Sequence, residues 1–193
     1  MSLHELQAAR ERRARRAAVA GALAQVQGPH ETQALPWADL ALLPDWCLWA
    51  NARRARLVRV AGALFAAPGM RLWIDAARLR AARALVGDWM FDRVMHSPEL
   101  PAQAPGVPGS GDLARLFDNA GRAVLLGSLP AAWMRGVAAP RLPAADAQPP
   151  LCPAVVARPL TALALQLLQQ EAEGADRVVL REPSSEPAVE DTK

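Results

Sequence analysis

Residues 44–69 read PDWCLWANARRARLVRVAGALFAAPG, and the fold class follows from this stretch. Pro44 followed by Asp45 is a helix start signal, with Asp45 at the N-cap position. A long run of helix formers comes next, and Pro68-Gly69 ends it. The expected helix spans 45 to about 67. Trp46, Trp49, Leu57, Val60 and Leu64 fall near one face at 3.6-residue spacing. Arg54 and Arg59 fall elsewhere on the wheel. Arg53 lies inside the apolar stripe, where its stem would have to snorkel or its head meet an acid from another segment.

Working outward, Met70 to Val86 reads as a second helix stopped by Gly87, with Ile74, Ala77, Ala81 and Leu85 as its core-facing stripe. Asp88 is placed to cap a third helix, Trp89 to Met95, which Ser97-Pro98 ends. Such short connections favour antiparallel or steeply crossed neighbours. The proline and glycine density of residues 98–111 forbids helix. Asp112 then caps a helix whose stripe is Leu113, Leu116, Phe117, Ala120 and Val124, with Gly127 as its stop. A shorter piece, Ala131 to Val137, precedes a second Pro-rich loop at 138–153. The last helix is expected to start near Pro159, a good first-turn residue, and to pass through Leu163, Leu167 and Leu168 to Glu173 and a stop at Gly174. Arg177 to Arg181 is short and β-branched, a thin case for one strand.

The N-terminal side is simpler. Residues 3–26 favour helix, and Gly28-Pro29 ends it. The segment is expected as a solvated surface helix, with a basic arm for a membrane surface or acidic partner as the functional alternative. Leu35 to Leu43 is a loop or short turn. The organisation is therefore a basic helical arm over 1–30, a helical domain over 31–181 interrupted at 98–111 and 138–153, and a disordered acidic tail over 182–193. The fold expected is mostly α, a single compact helical domain with Pro/Gly-rich loops, disordered termini and at most that one short strand. Half of the 193 residues are apolar, but alanine dominates them, so leucine, valine and the 6 tryptophans must form the core.

Chemistry is hard to find. His4, His30 and His96 lie in separate segments with no zinc spacing. Cys47 and Cys152 are far apart and make no metal or redox pair. Asp88 and Asp92 share a face, but the first is taken as a cap and the second has arginines beside it. Ser110 lacks the strand-turn-helix setting of a nucleophile elbow, and the glycines of 106–111 lack the Gly-Lys-Ser/Thr of a phosphate loop. The reading is a protein that is not an enzyme, with no cofactor, no metal, no catalytic residue and no small-molecule substrate. No run approaches the roughly 20 apolar residues of a membrane span, and the N-terminus resembles a signal peptide only faintly. A cytoplasmic location is expected.

Arginine clusters remain. Arg53, Arg54, Arg56 and Arg59 form one, and Arg71, Arg78, Arg80 and Arg83 another. The net charge of +3 comes almost wholly from arginine, since the one lysine is Lys193. Helical arginines could clamp phosphates in a small nucleic-acid-binding regulator, but no helix-turn-helix signature surrounds them. An electrostatic patch for an acidic protein partner is the preferred reading. Arg71, Arg78 and Arg80 of the second helix are the partner-binding candidates, with Arg71 and Arg78 near one face and Arg80 about 160° from Arg78. Among Trp37, Trp46, Trp49, Trp73, Trp89 and Trp133, most are expected in the core and one or two at an interface.

Pro44-Asp45-Trp46, Gly62-Ala63-Leu64, Pro68, Met70-Arg71, Asp75, Arg78-Leu79-Arg80 and Leu85-Val86-Gly87 together resemble the SctK family, cytoplasmic sorting-platform adaptors of bacterial type III secretion. The resemblance covers about a quarter of the chain, Leu43 to Phe91. It implies a helical protein without catalysis, on the cytosolic face of the inner membrane, linking the cytoplasmic domain of the ring protein SctD to the pod protein SctQ. The family offers no catalytic residues to carry over.

Overall fold

In the computed structural model, residues 42–98, 112–143 and 151–179 are described, with 7, 10, 11, 13–15 and 17–21 from the N-terminal arm. Six α-helices are labelled here: α1 Asn51–Met70, α2 Ala76–Val86, α3 Asp88–Met95, α4 Leu113–Ser128, α5 Ala132–Ala138 and α6 Ala154–Val179. Two 3-10 turns, Asp45–Leu48 and Ala139–Arg141, precede α1 and follow α5. The fold is mostly α, as expected, and no strand occurs among the described residues.

α1 is the axis of the structure. Residues 60 to 64 are buried without a break, so no side of the helix faces solvent there. It packs against α2, α3, α4 and α6, most extensively against α4. The expected single stripe is therefore only part of its buried surface. Alanine and glycine on the remaining sides let neighbouring helices come close, while Leu57, Val58 and Val60 supply apolar area worth about 1.5–3 kcal/mol each when fully buried.

Several boundaries differ from the sequence reading. Asp45 does not cap the long helix. It opens the 3-10 turn, and its carboxylate meets Arg15 at 2.6 Å. The turn carries Trp46 and Cys47 into the core, then Trp49 is extended before α1 begins. Pro68-Gly69 does not break α1, which continues to Met70. The second helix starts at Ala76, not Met70, because Asp75 accepts hydrogen bonds from the Ala77 and Arg78 amides. Its core face is Leu79, Ala82, Leu85 and Val86; Ile74, Ala77 and Ala81 are exposed. Gly87, at φ 85°, ends α2 and is also the N-cap of α3, so Asp88 is the first helical residue and caps nothing. Asp112 does cap α4, accepting from the Ala114 amide at 3.0 Å. Pro159 and Gly174 both lie inside α6, which starts five residues before the proline and runs past the glycine. Residues 177–179 are helical, so the strand proposed at 177–181 does not form there.

The expected loop at 138–153 contains the second 3-10 turn, and its residues 144–150 lie outside the described ones, as do 99–111, Trp37 and the tail from 182. The arm is not simply solvated. Arg15 also donates to the Leu43 carbonyl at 2.9 Å, and Val19 is buried in the main core.

Candidate partner-binding surface

The turn between α1 and α2 presents the most exposed large apolar side chains of the described chain: Ile74 is 102 % and Leu72 82 % exposed. Their backbone is well held. The Leu72 amide donates to the Gly69 carbonyl and the Trp73 amide to the Met70 carbonyl, both at 3.1 Å. Asp75 closes the turn as the cap of α2. Trp73 is half-buried against the core, and the Arg78 guanidinium lies 4.0 Å from its ring centroid, a cation–π contact that orients the arginine. Arg80 is exposed and, among the described residues, donates to the Ala76 carbonyl one turn back.

The three candidate arginines are thus not on one helix. Arg71 follows the last residue of α1, and its guanidinium donates to the Met95 and Ser97 carbonyls at the end of α3. It shares no helix face with Arg78. The expected two-turn register is overturned because the Asp75 cap starts the helix at Ala76, six residues later than the helix-forming composition suggested. Leu72 and Ile74 were missed as surface residues because they were counted within that helix. The cue that finds them is the Asp75 N-cap before an Ala/Arg/Leu run.

The other arginine cluster is dispersed over different tasks. Arg53 is exposed, 3.9 Å from the Trp49 ring centroid, so it needs neither the core nor an acid. Arg54 is the buried member, at 6 % exposure. Arg56 pairs with Glu171 of α6 at 2.6 Å and donates to the Val86 carbonyl. Arg59 faces Asp118 of α4 at 3.4 Å. In the second cluster, Arg83 meets both Asp88 and Asp92, at 3.5 and 2.9 Å. Trp46 is buried, Trp49, Trp73 and Trp133 are half-buried, and Trp89 is 39 % exposed with Arg93 over its ring.

A cleft of about 430 Å³ opens between the first turn of α1 (Asn51, Arg54, Ala55) and the segment Pro140–Pro143. Arg54 donates to the carbonyls of Trp49 and Arg141 and to Asn51 Oδ1. Burial, and next the charge of Arg141, push its proton affinity below the ordinary arginine value. Arg141 donates to the Cys47 carbonyl, and Arg122 holds the Leu142 and Pro143 carbonyls.

Cys47 and Cys152 are buried and unpaired. Burial outweighs the nearby positive charges of Arg141 and Arg54 and pushes the Cys47 thiol up to about 12. Among the described residues no group of three His, Cys, Asp or Glu is placed to hold a metal, and no helix is long and apolar enough to cross a membrane. No family model, no curated protein and no solved structure matches the chain.

Proposed function

We propose that this chain is a non-catalytic helical adaptor that binds protein partners through the Leu72–Ile74 turn and the adjoining start of α2. The observation that carries the reading is two large apolar side chains held in water on a backbone fixed by Asp75. Rigid exposed apolar residues beside cations suit the centre and rim of a protein interface. The resemblance to SctK adaptors supplies the partners: the cytoplasmic domain of SctD and the pod protein SctQ, met in the cytoplasm at the inner membrane. The nucleic-acid alternative draws less support. Arg54 and Arg71 are spent on carbonyls, and Arg56, Arg59 and Arg83 on carboxylates.

The test is a pull-down of the full chain with both proteins, comparing wild type with Leu72→Ser, Ile74→Ser and with Arg78→Glu, Arg80→Glu. Circular dichroism establishes that each variant is folded. Removing two interface anchors is expected to weaken binding at least about tenfold. Unchanged binding by the folded Leu72→Ser, Ile74→Ser variant, or no binding by wild type to either partner, refutes the proposal.

A further inference from the structure

We infer that the occupant of the Leu72–Ile74 surface is an acidic amphipathic helix of another protein, laid along the outer face of α2. The inference rests on the reading of that turn as a partner surface and names what the partner brings to it. Leu72 and Ile74 stand just before α2, and the solvent side of the helix continues from them. Every exposed residue of α2 is alanine except Arg80. At 100° per residue, Ala77, Arg80, Ala81 and Ala84 fall with Ala76 within an arc of about 140°. The solvent side of a helix ordinarily carries charged and polar side chains. Here it carries methyl groups, one guanidinium and no carboxylate.

Charge decides among the occupants. Arg80 is exposed, and it donates to the Ala76 carbonyl, an uncharged acceptor. The carboxylates at the two ends of α2 have other tasks: Asp75 accepts from two amides as the cap, and Asp88 and Asp92 meet Arg83. A second copy of this chain fits poorly. Arg80 is the middle residue of the face from Ala76 to Ala84, so a two-fold pair of such faces, parallel or antiparallel, sets Arg80 against Arg80. Like charges placed opposite each other disfavour that contact. A bilayer also fits poorly. Asp75 is exposed beside Ile74, and lipid that takes up the isoleucine must also desolvate a carboxylate. A protein partner that sets a carboxylate opposite Arg80 and apolar side chains on Leu72 and Ile74 meets neither obstacle.

The partner's form follows from hydrogen bonding. The alanine side chains of the α2 face offer neither donors nor acceptors. An extended segment buried there would leave backbone N–H and C=O groups unpaired, whereas a helix brings its own bonds with it. Alanine also lets a second helix approach to the near end of the usual range, about 8 Å between axes. From Ala77 to Ala84 the face runs about 10 Å, two turns of a facing helix.

The probes are synthetic peptides of about 18 residues, long enough to hold a helix. One has leucines at helical spacing flanked by glutamates, one has lysine for each glutamate, and one is the acidic peptide with central prolines. Fluorescence anisotropy follows their binding to the full chain, and circular dichroism establishes that each variant is folded. The acidic helical peptide should bind saturably, and the other two at least about tenfold more weakly. Arg80→Glu should reverse the preference, so that the lysine peptide binds the more tightly. The Ala77→Gln, Ala84→Gln double variant adds bulk without charge and should weaken the acidic peptide at least about tenfold. Five results overturn the inference: no saturable binding of the acidic peptide, an unchanged preference in Arg80→Glu, equal binding of the proline peptide, a dimer of the chain that Ile74→Ser dissociates, or co-sedimentation with phosphatidylglycerol vesicles that is lost in Leu72→Ser, Ile74→Ser. If the peptides fail while the partner pull-down still requires Leu72 and Ile74, the turn stands as an interface and the acidic helix alone is refuted.

Discussion

Gly62 of α1 and Gly121 of α4 interlock. A Cβ added at Gly62 would lie 1.9 Å from the Phe117 carbonyl oxygen, and one at Gly121 would lie 1.8 Å from the Val58 carbonyl oxygen. Phe117 is one turn before Gly121, and Val58 one turn before Gly62, so each helix rests on backbone beside the other's glycine. Gly62→Ala or Gly121→Ala must push the helices apart. Alanine favours the helix itself by about 1 kcal/mol, but overpacking a close contact costs typically about 1–3 kcal/mol, and here the obstacle is backbone. Both variants should be destabilised on urea unfolding. Gly136, in α5, has nothing within 4 Å of a Cβ, and Gly136→Ala should instead gain about 0.5–1 kcal/mol. A stabilised Gly62→Ala would contradict the helix crossing.

Much of the helical framework was legible, because caps and stops act over a few residues. Asp112 begins α4 and Gly87 ends α2 as local rules require. Two kinds of feature were not legible. The first is burial on every side, as around Ala61-Gly62-Ala63, where small residues signal close neighbours without saying which. The second is pairing across long sequence distances: Arg56 with Glu171, Arg54 with the Arg141 carbonyl, and Arg15 with Asp45. Of the candidate surface, Arg78 and Arg80 were visible as cations on α2. The exposure of Leu72 and Ile74 was hidden, because a periodic pattern assigns apolar residues to the core wherever the helix register allows it.

Arg56 serves two partners, and its loss should cost more than loss of the ion pair. Glu171→Gln removes a pair whose side chains are about a third exposed (29 % and 37 %), which is worth roughly 0.5–1 kcal/mol. Arg56→Met also strips the charged donor from the Val86 carbonyl and should cost about 1.5–3 kcal/mol. A double-mutant cycle in urea isolates the ion pair. Equal costs for the two single changes would show that Val86 is not held by Arg56.

Arg71 should behave as a stability residue. Its guanidinium meets the last carbonyls of α3, where a cation also favours the helix dipole. Arg71→Gln is expected to cost about 1–2 kcal/mol and to speed amide exchange at Met95–Ser97 while leaving partner affinity unchanged. Arg80→Gln, on an exposed face, should stay within about 0.5 kcal/mol of wild type. A stable Arg71→Gln that fails to bind would restore Arg71 to the interface.

Cys47 predicts an alkaline limit. The folded thiol is raised to about 12 by burial, whereas the unfolded thiol ionises near its ordinary 9.0. Between those values the unfolded state holds fewer protons, so stability falls as pH rises. It should be lost at about 1.4 kcal/mol per pH unit above about 9, and be unaffected by this group below that. Cys47→Ala should flatten the alkaline limb of a stability-against-pH curve. Native Cys47 should also resist a thiol reagent at pH 8 until the chain is unfolded. Rapid labelling of the folded protein would contradict the burial.

The enclosure of α1 sets where this chain can change in length. One residue inserted into α1 rotates everything beyond it by about 100°. Gly62 would leave the Phe117 carbonyl, and side chains meant for α4 would face α6 or α3. Around residues 60–64 no side of that helix could absorb the error. The turn at 71–75 imposes no such phase relation beyond the bonds of Arg71 and Asp75, the amide bonds of Leu72 and Trp73 and the packing of the Trp73 ring, and the side chains of Leu72 and Ile74 stand exposed. Length variants should therefore survive on either side of the exposed Ile74, between Trp73 and Asp75, and fail within 57–67. The segment proposed to meet partners is the one in which this fold can be lengthened without being rebuilt.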